Sequence, residues 1–320
     1  TRDECGLSSV LDSIPEKDLY LNSFCFGYRF FDGVDMDLAF IKHLFRSKEL
    51  RNQIVRTANG VTRFNVSKEK MKKVLIPIPP LEVQKKIADT LDAFTILKAE
   101  LEAELEARIK QYEYYRDFLL SFTEQKNSLV RWVKLGEIGF VAMCKRIMKA
   151  ETSSDGDVPF YKIGTFGKVP DAYISGETYE RYKQTYSHPK KGDVLISAAG
   201  TIGRAVIYDG EPAYYQDSNI VWLEHDESQV LNKYLFYIYQ LSPWHVSTGG
   251  TIQRLYNDNI TKTLIPLPPI EEQTRIVDIL DKFNVLITDI KTGLPAEIAA
   301  RQKQYEYYRD QLLSFKEAES

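Results

Sequence analysis

Cysteine is scarce in this chain, and its scarcity excludes a good deal. Only Cys5, Cys25 and Cys144 occur among 320 residues, an odd number with no C-x-x-C pair. That speaks against a disulfide framework or a thiolate zinc site and fits a reducing, cytoplasmic setting. The four histidines, His43, His188, His225 and His245, stand at no metal-ligand spacing. No stretch approaches about 18 uninterrupted apolar residues, so no membrane-spanning helix is expected, and no basic leader precedes an apolar run. Charge of one sign is not in excess: 42 Lys and Arg against 45 Asp and Glu leave a net −3. A protein that coats nucleic acid non-specifically would be strongly basic; a reader that shares its phosphate grip with other subunits need not be. Catalytic motifs are missing as well. The Pro-Pro pairs at 79–80 and 268–269 are followed by Leu81 and Ile270, not by the aromatic residue of an amino-methyltransferase motif. "GTIGR" (200–204) lacks the Lys-Ser/Thr of a phosphate loop.

What the chain does have is a repeat. "KQYEYYRD" occurs at 110–117 and again at 303–310. "LIPIPPLEVQKKIADTLDAF" (75–94) aligns without a gap on "LIPLPPIEEQTRIVDILDKF" (264–283). In each copy a short apolar, strand-like run meets a Pro-Pro stop that pre-sets the first helical turn. Glu82 and Glu271–Glu272 then sit where the helix dipole favours negative charge. From Glu82 to about Phe122 nothing breaks the first helix, which predicts a rod of about 60 Å. Phe94, Leu97, Leu101, Leu105, Ile109 and Tyr112 recur at the helical period as one apolar seam. The second copy is interrupted by "TGLP" (292–295), where Gly293 and Pro295 should end one helix and start the next. An antiparallel pairing of the two helical segments follows, because a helix this long needs a face to bury. Within it "AELEAELE" (99–106) repeats a tetrad; Ala99, Leu101, Ala103 and Leu105 belong to a rigid spacer of strong helix formers.

Residues 126–265 have another texture. They are rich in Gly, Tyr, Ser and Thr, with strand-like runs at 193–200, 205–210 and 219–224 and a helical run at 229–241. Residues 1–74 repeat the order of the second half of that domain: a glycine loop, strand-like runs in "LYLNSFCFGYRF" (19–30), the helix "DLAFIKHLFRS" (37–47), then "NGVTRF". The chain opens at Thr1 as if part-way through a unit, and the counterpart of 126–197 is expected to be absent before it. The domain reading is therefore 1–78 (the C-terminal part of a first globular domain), 79–125 (central helical spacer), 126–265 (second globular domain) and 266–320 (C-terminal helical region).

"GDVLISAAGTIGRAVIYDGEPAYYQDSNIVWLE" (192–224) resembles the target-recognition domain of type I restriction-modification specificity subunits (HsdS). "LIPLPPIEEQTRIVDILDKF" and "LPAEIAARQKQYEYYRDQLLSF" resemble their helical regions. The likeness covers essentially the whole chain, less the first half of the first recognition domain. It implies an α+β fold with two globular α/β recognition domains, the first truncated. Long helices paired as an antiparallel coiled coil separate them, with a pseudo-two-fold internal repeat. It implies a non-catalytic subunit whose domains each read one half of a bipartite double-stranded DNA target. It also implies two modification (methyltransferase) subunits as partners, and in some systems restriction subunits. S-adenosylmethionine would then sit on the modification partners, ATP and Mg on a restriction subunit, and no cofactor on this chain.

Base edges are read by Arg, Lys, Asn, Gln, Ser and Thr on loops or helix ends. Four clusters qualify: Lys145, Arg146 and Lys149; Gly200, Thr201 and Arg204; Gly249, Gly250, Thr251, Gln253 and Arg254; and, in the first domain, Asn59, Gly60, Thr62 and Arg63 with Arg2. Arg181, Lys183, Lys190 and Lys191 fit phosphate contact or a solvated face. In the octapeptides Tyr112, Tyr115, Tyr305 and Tyr308 divide between helical core and partner contact. Tyr114 and Tyr307 lie on another face, and Arg116 and Arg309 are read as exposed partner-binding residues. Two alternatives stand beside this reading: a helical scaffold joining two ligand-binding modules without nucleic acid, and the specificity chain of a two-subunit restriction system.

Overall fold

The computed structural model describes residues 4–11, 18, 20–60, 64–122, 130–245, 253–289 and 291–315. By contact the chain divides into two compact units, Thr1–Ile109 with Val285–Ser320, and Lys110–Asn284.

The first unit is built on short capped helices. Asp37 accepts from the Phe40 amide at 2.9 Å and starts α1 (Leu38–Leu44). Ser47 starts α2 (Lys48–Arg56) in the same way. The ribbon β1 (Ala58–Asn59) and β2 (Asn65–Val66) and the turn-long α3 (Lys68–Met71) lead to α4, the unbroken helix Leu81–Leu120. Phe40, Leu44, Leu50, Ile54 and Leu91 are buried together with Tyr305 and Leu313.

The second unit is mostly sheet. Its elements are β3 (Arg131–Lys134), α5 (Leu135–Ile138), β4 (Phe140–Ala142), β5 (Val158–Tyr161), β6 (Tyr173–Ile174), α6 (Gly176–Thr185) and β7 (Val194–Ser197). Then come β8 (Ala205–Ile207), β9 (Tyr214–Tyr215), β10 (Ile220–Glu224), α7 (Asn232–Gln240), α8 (Asn257–Thr261), β11 (Leu264–Leu267) and α9 (Ile270–Thr288). The final helix, α10 (Leu294–Leu312), returns the chain to the first unit. An antiparallel sheet runs β4-β10-β7-β8, with Trp222 opposite both Ala142 and Leu195. A second sheet, β6-β5-β9, contains the parallel pair Phe160–Tyr214. β7 and the apolar part of β10 are buried on both faces, which is why they read as continuous apolar runs without alternation. Between the sheets Phe160, Phe166, Leu195, Tyr214, Tyr215 and Trp222 form one core.

The helical expectations hold. α9 stops at Thr288, and Gly293 caps α10 with Pro295 in its first turn. A Cβ on Gly293 would stand 2.7 Å from the carbonyl oxygens of Val285 and Asp289, so the approach of the two helix ends requires glycine. In the first unit α10 runs antiparallel to the start of α4: Phe94 stacks on Tyr308 at 5.4 Å, and Leu313 shares the core of Ile87 and Leu91. The seam of α4 is less uniform than its period suggests. Leu91 and Tyr112 are buried, whereas Leu97 and Ile109 remain 36% and 38% exposed.

Two strand expectations fail. Among the described residues 20–30 there is no strand, and Tyr20 and Phe24 are exposed. The strand-like run 75–78 is likewise irregular, whereas its counterpart β11 is a strand because β3 pairs with it, Ile265 facing Val133. A strand exists by virtue of its ladder. No described residue of the first unit pairs with either segment.

Both copies share a device that sequence reading passed over. Gln84 is fully buried; its amide donates to the carbonyls of Asp35 (2.9 Å) and Pro79 (2.7 Å), and its oxygen accepts from the Asp37 amide (2.8 Å). Gln273, its repeat mate, donates to Gln229 and Pro268 (both 2.9 Å) and accepts from the Leu231 amide (2.9 Å). Each glutamine fastens the Pro-Pro turn to the loop that opens the neighbouring domain helix. The signal lay in the gap-free alignment, where Gln recurs at the same place.

Candidate nucleic-acid interface

Antiparallel pairing brings the ends of β4 and β7 to the same edge at which β8 and β10 begin. The loops at that edge are 143–149, 198–204 and 216–219. A fourth segment joins them through the bridge between Ala199 and Arg254 and through the Leu255 amide, which donates to the Ala198 carbonyl at 2.8 Å. Described residues of three of the four sequence clusters, far apart in the chain, therefore meet at one end of one sheet.

The glycine loop is a tight turn. Gly200 and Gly203 have φ of +67° and +78°, and a Cβ on Gly203 would lie 2.5 Å from Trp244 Nε1. Ser197 Oγ accepts from the Arg204 amide at 2.9 Å and donates to the Thr201 carbonyl, closing the turn from below.

The basic side chains divide into two kinds. Arg204 and Arg254 are half-buried and spend donors on the protein: Arg204 on the Phe166 carbonyl (2.9 Å), Arg254 on the Ser218 carbonyl (2.5 Å). Lys145, Arg146, Lys149, Thr201 and Gln253 are exposed. Lys145 stands 5.1 Å above the Tyr186 ring, and Arg146 Nε donates to Asp217 at 2.9 Å. Cys144, beside them, is buried, and burial pushes its thiol up to about 12, so it is packing and not a nucleophile. Lys183, Lys190 and Lys191 line a separate hollow near the opposite edge with His188 and Glu224. In the first unit Asn59 and Gly60 are exposed, Asn59 accepting from Lys70 at 2.8 Å. Arg2, Thr62, Arg63, Gly249, Gly250 and Thr251 lie outside the described residues.

Each octapeptide turns one face inward. Tyr112 is buried and its hydroxyl donates to Gln240 at 2.7 Å, while Tyr115 stacks on Phe283. Tyr305 is buried with its hydroxyl 2.9 Å from His43 Nδ1, while Tyr308 stacks on Phe94. Arg116 and Arg309, expected to be exposed, are not. Their side chains are 18% and 15% exposed, paired with Asp117 and Asp310 and held over the rings of Tyr112 and Tyr305. A guanidinium one helical turn from a docked tyrosine is carried into the same packing. Tyr114 and Tyr307 remain outside, 65% and 62% exposed.

The family profile described as the type I restriction modification DNA specificity domain matches residues 13–111 and 127–300. The chain belongs to this family. A putative type I restriction enzyme specificity subunit of Haemophilus influenzae is 55% identical over 264 residues, covering 80% of this chain and 68% of that protein. The specificity subunit of an Escherichia coli type I restriction enzyme is 35% identical over 274 residues, covering 80% and 66%. This chain thus spans about two thirds of the length of both relatives. The crystal structure of the HsdS subunit from Thermoanaerobacter tengcongensis superposes with a TM-score of 0.53 at 21% identity, over 87% of this chain and 70% of that one. The S subunit from M. genitalium gives 0.52 at 16%, over 89% and 75%. Both superpositions show a shared fold.

Proposed function

We propose that this specificity chain reads one half of a bipartite double-stranded DNA target with the loop edge of its second unit, and takes part in reading the other half with its first. The observation that carries this is the convergence of Lys145, Arg146, Thr201 and Gln253, with Arg204 and Arg254 behind them, on one exposed edge. Lysines and arginines there supply phosphate contacts, while the Arg and Gln side chains suit base edges in the major groove. Catalysis belongs to partners. Two modification subunits carrying S-adenosylmethionine dock on the repeated helices, and a restriction subunit, where present, brings ATP and Mg. The whole assembly works in the cytoplasm, where the DNA is. Exposed Tyr114 and Tyr307, one in each octapeptide, suit two copies of one partner. A scaffold without nucleic acid would not need this basic edge.

The test is to co-express the chain with a partner methyltransferase subunit and map methylated bases by sequencing. A defined two-part motif is expected; methylation without a motif, or methyl transfer by the purified chain alone, would overturn the reading.

A further inference from the structure

The four residues Gln216–Asn219 each hold a different part of the loop edge. Gln216 donates its amide to the Tyr161 carbonyl and accepts from the Ile163 amide through Oε1, both at 2.9 Å, and so anchors the loop after β5. Asp217 accepts from Arg146 Nε at 2.9 Å. Ser218, in the left-handed region at φ +55°, turns its carbonyl to Arg254. Asn219 accepts from the Ala198 amide at 2.7 Å, at the root of the glycine loop. A serine in that conformation is uncommon and is held there by its surroundings.

We propose that this tetrapeptide is the positioning element of the second recognition domain, and that Asp217 is a specificity-determining residue acting through Arg146. The carboxylate engages the guanidinium at Nε, nearest the stem. The Arg146 side chain stays 67% exposed while that of Asp217 is 18% exposed. The fork of terminal amino groups, the part that reads guanine O6 and N7, is therefore aimed without being consumed. A free surface arginine loses more rotamer freedom on meeting a base than one already held by its stem. An acid on a DNA-facing edge also works against phosphate binding. Asp217 thus trades non-specific affinity for orientation. The inference rests on the DNA-reading function proposed above.

The experiment uses the chain assembled with its modification subunits, reading the target by sequencing methylated sites. Asp217→Ala should broaden one position of one half-site, lowering its base preference roughly tenfold or more, with the other half-site unchanged. Arg146→Ala should broaden the same position, and the double variant should be no worse than Arg146→Ala alone. Asp217→Asn keeps an oxygen for Nε and should lose only about threefold; this intermediate loss decides the matter if the alanine variant does not fold. A target unchanged by Asp217→Ala, an Arg146→Ala variant that reads normally, or an asparagine variant as poor as alanine would each overturn the positioning role. A wild-type complex with no defined motif would instead sink the DNA-reading function itself, so the two failures are distinct.

Discussion

At the scale of single residues, the loop edge is governed by backbone constraint as much as by charge. Gly203 is the clearest case, since its φ of +78° and the Trp244 ring at its back exclude any side chain. Gly203→Ala should cost roughly 1–3 kcal/mol, the left-handed penalty together with the clash, measured by denaturant unfolding. An unchanged midpoint would mean that the turn can relax away from Trp244. Arg254 has a divided role. One amino group is committed to Ser218, so Arg254→Ala should lower stability by about 1 kcal/mol even without DNA. If the remaining donors read a guanine, the variant should also lose about 1–3 kcal/mol of preference for target over scrambled DNA. A preference ratio equal to wild type would reduce Arg254 to a purely structural strut. Sequence alone identified these residues by type and by the flanking glycines. It could not separate Arg146, which faces solvent, from Arg204 and Arg254, which face carbonyls, because that depends on where Phe166 and Ser218 lie. Asp217 carries no such signal, because an acid is not among the residue types expected on a phosphate-facing edge.

At the scale of elements, the repeat was legible and its contacts were not. Identity across the octapeptides announced equivalent helices, and Gly293 with Pro295 announced the break between α9 and α10. Which helical face turns inward depends on α1, α7 and α9, so the sequence pattern alone leaves Arg116 and Arg309 outside, whereas they pack against Tyr112 and Tyr305. The apolar runs at 19–30 and 75–78 suggest strands, but no described ladder completes them. The two octapeptide tyrosines also meet unlike partners, Gln240 in one unit and His43 in the other. His43 is fully buried, with Nε2 2.8 Å from Asp92. Burial lowers its pKa below 6.5, overriding the opposing pull of Asp92. Protons therefore bind the unfolded chain more readily, and the stability of the first unit should fall as pH drops through about 6.5 toward the depressed folded value. Burial acts to raise the Asp92 pKa, yet hydrogen bonds from Lys42 and His43 carry it below 3.8, so a further loss follows below that value. His43→Gln should flatten the fall in melting temperature between about pH 7 and pH 5. Part of the slope should persist through His188, whose pKa burial also lowers. A slope identical to wild type would show that His43 does not titrate across unfolding.

At the scale of the whole molecule, the proposed function gives α4 the role of spacer and the octapeptides that of partner docking. The tetrads at 99–106 lie inside an unbroken helix, with Leu101 and Leu105 both half-buried on one face. Deleting Ala103–Glu106 removes about 6 Å of rise and turns the helix by roughly 40° beyond a full turn. Both half-sites should survive while the gap between them shortens by about one to two base pairs. Sequencing the sites methylated by the variant complex decides this, an active enzyme with its gap unaltered being the adverse result. For assembly, the residues to alter are Tyr114 and Tyr307, not the inward-facing arginines. Tyr114→Asp and Tyr307→Asp together should weaken two-to-one assembly more than either alone, read by native mass spectrometry. A double variant that still forms an intact two-to-one complex would move the docking surface elsewhere.

Gln84 and Gln273 have a consequence for how such chains can change. Every atom that either glutamine grips belongs to the main chain: two carbonyl oxygens and one amide. The joint between rod and domain is therefore indifferent to the side chains of whatever domain it holds. A domain of unrelated surface sequence can be fitted to the same socket, provided its opening loop follows the same path. Novelty in what is recognised and constancy in how the parts are coupled are thereby separated, and a lineage can exchange the first without rebuilding the second.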